Sequence, residues 1–129
     1  MTYGAKKYKQ TDVLTASPGK ILILLYEAAI RHIRRAIVLI DKGDIAGKGL
    51  AIGKAHDIVS ELVNTLNFEV GNGDIARELE RLYNFMIEQL LLANSENSKE
   101  KLEGVSKLLE TLLEGWRGAV DQVHGEAGK

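Results

Sequence analysis

The sequence contains no cysteine, which excludes disulfides, thiolate metal ligands and thiol nucleophiles at once. Its longest uninterrupted apolar run, Ile21 to Tyr26, is far short of the roughly 20 residues a membrane helix needs. Met1 leads into polar residues through Gln10, with neither an apolar h-region nor a small-residue cleavage site, so no secretory signal is expected. Neither sign of charge dominates: the formal net charge is −1, which argues against broad nucleic-acid binding. The single proline, Pro18, marks the first clear boundary in the chain. What is present is 129 residues, 45% of them hydrophobic, enough for one globular domain that buries roughly two thirds of its unfolded surface. These features predict one cytoplasmic domain.

Charge is unevenly distributed. Residues 1–42 carry eight basic and three acidic side chains, and residues 43–129 carry nine and fifteen. Two readings fit: differently charged solvent faces of a bundle, or a basic docking surface on the first long helix.

Apolar spacing predicts four helices. Ser17-Pro18 is a helix start, with Ser as cap and Pro in the first turn. Leu22, Leu25, Ala29, Ile33, Ala36 and Ile40 then form one stripe. Gly43 ends that helix and Asp44 caps a second, with Ile45, Ile52, Ala55, Val59, Leu62 and Leu66 inward. Gly47, Gly49 and Gly53 weaken the start of this helix or mark a close neighbour. Asn67 to Gly73 is the longest internal loop; Asp74 is expected to cap a third helix with Ile75, Leu79, Leu82, Met86, Leu90 and Ala93 inward. Asn97 and Glu100 suggest a capping box before a fourth, carrying Leu102, Val105, Leu109, Leu112, Trp116, Ala119 and Val123. Short loops favour antiparallel neighbours. The expected fold is therefore all-α, an antiparallel up-down four-helix bundle over residues 17–124. Residues 1–16 form an N-terminal arm with a short helix, and 125–129 a frayed tail.

No catalytic constellation stands out. Di-iron bundles need Glu-x-x-His turns on two helices, and no Glu here has a His three residues later. Asp121 and His124 have that spacing once only, near the expected fraying end. There is no nucleophile elbow, and the Gly-rich stretch Gly47 to Lys54 lacks the Lys-Ser or Lys-Thr ending of a phosphate loop. His56 and Asp57 should point about 100° apart on a helix. A histidine phosphotransfer domain is a bundle of similar size, yet the residues following His32 and His56 do not supply its usual surroundings. No enzyme, metal or cofactor is expected.

The anomaly is surplus apolar surface. Beside its main stripe, the first helix has Ile21, Leu24 and Ala28 on one flank and Ile23, Tyr26, Ile30 and Ile37 on the other; the third helix adds Tyr83, Ile87 and Leu91, and the second adds Ile58. An amphipathic helix needs only one wide stripe. The additional rows must meet the N-terminal arm, a second copy of the chain, or a partner helix lying in a groove.

The residues also carry a family resemblance. Tyr8-Lys9-Gln10, Val13 through Leu22 (Val-Leu-Thr-Ala-Ser-Pro-Gly-Lys-Ile-Leu) and Leu25-Tyr26-Glu27 resemble the opening of the flagellar secretion chaperone FliS family. Lys54-Ala55-His56-Asp57-Ile58-Val59 is similar to its Lys-Ala-x-(Asp/Asn)-Ile-Ile run. Leu82-Tyr83-Asn84-Phe85-Met86 followed by Leu92-Ala93-Asn94 is similar to its Leu-Tyr-Asp-Tyr-Met and Ala-Asn segment, and Trp116 stands at its late Trp. Asn84 and Phe85 replace an Asp and a Tyr, and Gly71-Asn72-Gly73-Asp74 stands where the family often has Gly-Gly-Glu. The blocks keep their order over residues 8–120.

The resemblance implies a cytoplasmic export chaperone that binds the C-terminal segment of flagellin, prevents its early polymerisation and presents it to the flagellar type III export gate. The partners implied are flagellin and the cytosolic domain of an export-gate membrane protein, with no nucleic acid and no membrane insertion; a homodimer is a further candidate. An adaptor for another export client is the alternative. Ile21, Leu24, Ile58, Leu62, Tyr83 and Ile87 are the candidate groove residues. The arm around Tyr8 is expected to cover apolar surface until the client arrives, and the resemblance makes Tyr8 a contact for the export gate.

Overall fold

Gly43 closes the first helix in a way its neighbours cannot imitate. At φ +74° it occupies the left-handed region open to glycine. Its N–H donates to the Ile40 carbonyl at 3.0 Å, while the Asp44 N–H donates to Leu39 at 2.9 Å. This Schellman pair satisfies carbonyls that would otherwise be orphaned. Asp44 then turns the chain into the next helix, its Oδ1 accepting from the Gly47 N–H at 2.9 Å. The structure, a computed structural model, describes residues 18–127, and side-chain surroundings for residues 19–121. The expected arm over residues 1–16, Tyr8 within it, and the Ser17 cap lie outside the described residues.

Four helices follow: α1 (Pro18–Asp41), α2 (Ile45–Asn64), α3 (Asp74–Glu96) and α4 (Lys99–Ala127). Helix α1 packs on α2 and α4, and α3 completes the square between those two. Surface pairs show that α1 and α4 run antiparallel. Glu27 meets Arg117, Arg34 meets Glu110, and Asp41 meets Lys99 at 2.6 Å, so α4 descends as α1 ascends. Exposed pairs of this kind contribute about 0–1 kcal/mol each; they record the register rather than hold the fold. Lys48 ties the start of α2 to the end of α3. It is 4% exposed, and its Nζ donates to both the backbone carbonyl and Oδ1 of Asn94 at 2.8 Å. A cation there complements the negative end of α3 and satisfies a last-turn carbonyl.

The core sits along the axis. Tyr26, Ala29, Ile33 and Ala36 of α1 meet Ile52, Ala55, Val59 and Leu62 of α2, Tyr83, Met86, Leu90 and Ala93 of α3, and Leu102, Val105, Leu109 and Leu113 of α4. Burying each large aliphatic side chain contributes about 1.5–3 kcal/mol. The four-helix bundle and its short connections match the apolar spacing.

Several local expectations are corrected. Ile45, Ile75 and Ala119 face solvent rather than core. The cap of α3 is Gly73, at φ +82° with no side-chain cap bond, and Asp74 is already helical, its carboxylate bound to Arg77 at 2.6 Å. Asn72 Oδ1 takes the Asp74 N–H at 3.1 Å instead. The capping box at Asn97 does not form: Asn97 ends α3 in the left-handed region at φ 53°. Ser98 caps α4, its Oγ accepting from the Lys101 N–H at 3.1 Å.

Candidate functional site

The square arrangement divides the surplus apolar rows of α1. Residues on the flank of Tyr26, Ile30 and Ile37 lie on the same side of the helix as Glu27 and Arg34, which pair with α4. Tyr26 and Ile30 are buried and Ile37 is packed against the core. Bundle packing accounts for that row. The opposite flank is different: Leu24 is 58% exposed and Ile21 40%.

The six candidate groove residues are not brought into one groove. Ile21 and Leu24 are exposed. Ile58 is half-buried and lies one and two turns from Lys54 and Ala51, which line the seam of α2 with α1. Ile87 is half-buried and two turns before Asn94, which faces α2 from the other side. The first three therefore belong to the α1–α2 seam and Ile87 to the α2–α3 seam. Leu62, 0% exposed, and Tyr83, 1% exposed, are core residues. Each fills the bundle axis, so neither stands on the outer seams with the other four. Both belong to apolar rows in the sequence, where periodicity does not separate a core position from a flank.

A feature the periodicity did not reveal lies at one end of the bundle, where α1 begins, α2 ends and α3 begins. Leu22, Leu66, Val70, Ile75, Leu79 and Trp116 line a pocket of about 360 Å³ there, and Tyr83 forms part of its wall. Val70 sits in the α2–α3 loop and Ile75 in the first turn of α3. They are 68% and 75% exposed, so the rim of the pocket is apolar. A loop residue carries no periodic signal, and Ile75 fits the core stripe of α3 by spacing alone. The described chain begins at this same end, with Pro18.

Beneath the pocket the Tyr26 and Tyr83 hydroxyls share a 2.5 Å hydrogen bond across the core, their rings edge to face with centroids 6.4 Å apart. Burial raises the pKa of both hydroxyls, so they stay protonated at neutral pH and act as a structural latch. The Trp116 indole N–H lies beside the Tyr26 hydroxyl and favours its ionised form, yet is buried without a hydrogen bond of good geometry.

Little reactive chemistry is assembled. Among the described residues no group of three or more His, Asp or Glu side chains is placed to hold a metal ion. His56 and Asp57 approach more closely than the helical wheel predicts, with Nδ1 and Oδ1 3.4 Å apart. That is a long, weak contact to a carboxylate that is 84% exposed. The pKa of His32 is lowered by burial and by the positive charges of Lys54 and Arg31. Among the described residues no helix is long and apolar enough to cross a membrane.

Comparison with known proteins extends this picture. The family model described as Flagellar protein FliS matches residues 1–123. The chain is 36% identical over 119 residues to a flagellar secretion chaperone FliS of Salmonella typhimurium, covering 88% of this chain and 87% of the relative. It is 37% identical over 110 residues to the protein of that description from Campylobacter jejuni, covering 85% of each. A solved structure described as a flagellar chaperone from bacteria superposes with a TM-score of 0.77 at 24% identity, covering 94% of this chain and 98% of that one; it shows a shared fold.

Proposed function

This chain belongs to the FliS family of flagellar secretion chaperones, and from that premise we propose that it binds the C-terminal segment of flagellin in the cytoplasm. Binding keeps the subunit from polymerising early and allows its delivery to the flagellar type III export apparatus. The observation that carries this reading is apolar surface left uncovered by the bundle. Ile75, Val70 and Leu24 are 75%, 68% and 58% exposed, around the open-end pocket and along the adjoining flank of α1. Contiguous apolar patches on small soluble proteins mark protein partners.

A flagellin C-terminal segment outside the filament is a disordered chain with amphipathic helical potential. Folding on the chaperone costs it ordering entropy, which an extended contact surface offsets. Ile21, Leu24 and Ile58 provide anchors on the α1–α2 seam and Ile87 on the α2–α3 seam, so the client wraps around α2 rather than lying in one groove. The arm around Tyr8 covers apolar surface until the client binds, and Tyr8 contacts the cytosolic domain of the export-gate membrane protein. The chain acts by binding, not catalysis. No metal, cofactor or nucleotide hydrolysis is required, because transfer to the gate releases the client.

The test is isothermal calorimetry of the full chain with a flagellin C-terminal peptide. Saturable binding with a dissociation constant at or below roughly tens of micromolar is expected. A folded chain that gives no heat at that concentration overturns the reading.

A further inference from the structure

The uneven charge of the sequence becomes a specific surface once α1 and α2 are side by side. Their outer seam is a groove of about 630 Å³. Arg31 and Arg35 stand on its α1 wall and Lys54 on its α2 wall. None of the three makes an ion pair or hydrogen bond with a described residue, although each is within the described part of the chain. The one acid in the lining is Asp44, whose carboxylate already holds the Gly47 N–H as the cap of α2. The positive potential acts on its surroundings: Lys54 and Arg31 both disfavour protonation of His32, in the same lining. Between the cations the floor is apolar, with Leu50 65% and Val38 44% exposed.

We propose that this groove is a docking site for an acidic amphipathic helix of a partner protein, distinct from the open-end pocket. Arg31, Arg35 and Val38 repeat at helical spacing along one wall, and Gly47, Leu50 and Lys54 along the other. A helix lying in the seam sets apolar side chains on Val38 and Leu50, with carboxylates three or four residues apart against the cations. Charge complementarity selects this occupant over others. The chain's own residues 1–17 have the wrong sign, with Lys6, Lys7 and Lys9 against Asp12. A second copy docking its acidic half here makes a head-to-tail contact, not the self-complementary contact of a two-fold dimer. A nucleic acid gains nothing from the aliphatic floor, and no Phe, Tyr or Trp ring lines the groove for bases to stack on. The groove shares the α1–α2 seam with the client anchors Ile21, Leu24 and Ile58, so the inference rests on that reading and extends it to the charged part of the seam. Charge reversal at Arg35 and Lys54 leaves those anchors in place, so loss of acidic-helix binding and failure of flagellin binding are read separately.

The experiment uses the full chain and a fluorescein-labelled model peptide of about five helical turns, with leucines on one face and glutamates on its flanks. Fluorescence anisotropy is read at low and high salt. A Gln-for-Glu version of the peptide, a single-stranded oligonucleotide and anionic lipid vesicles are the competitors. The expected result is binding that weakens with salt, and that falls about tenfold or more for the Gln peptide and for the double variant Arg35→Glu/Lys54→Glu. The milder Arg35→Gln/Lys54→Gln should lie between, and Lys107→Glu on α4 should match the wild type. Circular dichroism verifies that each variant is folded; the substituted side chains are exposed. The proposal is overturned by no binding to the wild type, by equal affinity for the charge-reversed variant, by tighter binding of the oligonucleotide or vesicles, or by self-association in place of peptide binding.

Discussion

The Tyr26 hydroxyl of α1 and the Tyr83 hydroxyl of α3 meet at 2.5 Å on the diagonal of the bundle. This links two helices that are not neighbours in the square. Each polar group is buried, and each is the other's hydrogen-bond partner. The pair stands directly behind the open-end pocket, so it fixes the wall against which a client would press.

The first prediction follows from that reciprocity. Tyr26→Phe or Tyr83→Phe leaves one buried hydroxyl without its partner and should cost about 1–3 kcal/mol. The double variant removes both hydroxyls and should cost less than the sum of the singles. Urea unfolding of the three variants measures the coupling, and strict additivity would show that the hydroxyls do not interact.

Burial separates residues that the apolar rows had grouped together. Leu62→Ala empties a fully buried site and should cost about 2–5 kcal/mol. Leu24→Ser and Ile75→Ser lie on the surface and should change stability by no more than about 0.5 kcal/mol, while weakening flagellin-peptide binding. Thermal melts with calorimetry distinguish the two kinds of position. Unchanged binding by both surface variants would remove them from the client surface.

The glycines of α2 should respond unequally to alanine. A Cβ on Gly53 meets nothing within 4 Å, so Gly53→Ala should stabilise the helix by up to about 1 kcal/mol. A Cβ on Gly47 would come 2.6 Å from Asp44 Oδ2 and disturb the cap that starts the helix, so the same change there should give no gain. Melting temperatures of the two variants provide the comparison.

His32 makes stability depend on pH in a defined direction. Burial and the Lys54 and Arg31 charges lower its pKa in the folded chain, so the unfolded chain binds the proton more readily. The stabilisation from keeping His32 neutral is present above the unfolded pKa, about 6.5 for an ordinary histidine. It is lost as pH falls from there through the folded value. His32→Gln should flatten this part of the stability profile measured by urea titration. An unchanged slope would assign it to other groups.

Much of the bundle was legible in the sequence because helix signals are local. Pro18 starts α1, Gly43 and Asp44 turn the chain, and residues such as Ile33, Val59, Leu90 and Leu109 recur at the spacing that keeps one face dry. The corrected ends were also local but competitive. Gly73 and Asp74, or Asn97 and Ser98, are adjacent residues that can each end or begin a helix, and the left-handed conformations of Gly73 and Asn97 decided which did.

Taken alone, the sequence determined four amphipathic helices, their order, and an excess of apolar side chains beyond what one stripe requires. Tertiary structure decided where that excess went. Tyr26 and Ile30 became core because α4 lies on their side of α1, Leu24 stayed exposed, and Val70 and Ile75 came together with Trp116 at the open end. It likewise placed Lys54 across a groove from Arg31 and Arg35. The physical reason is the reach of the signal. Helical periodicity fixes the angle of a side chain about its own axis, but the side on which the next helix packs is settled only when all four bury their stripes together.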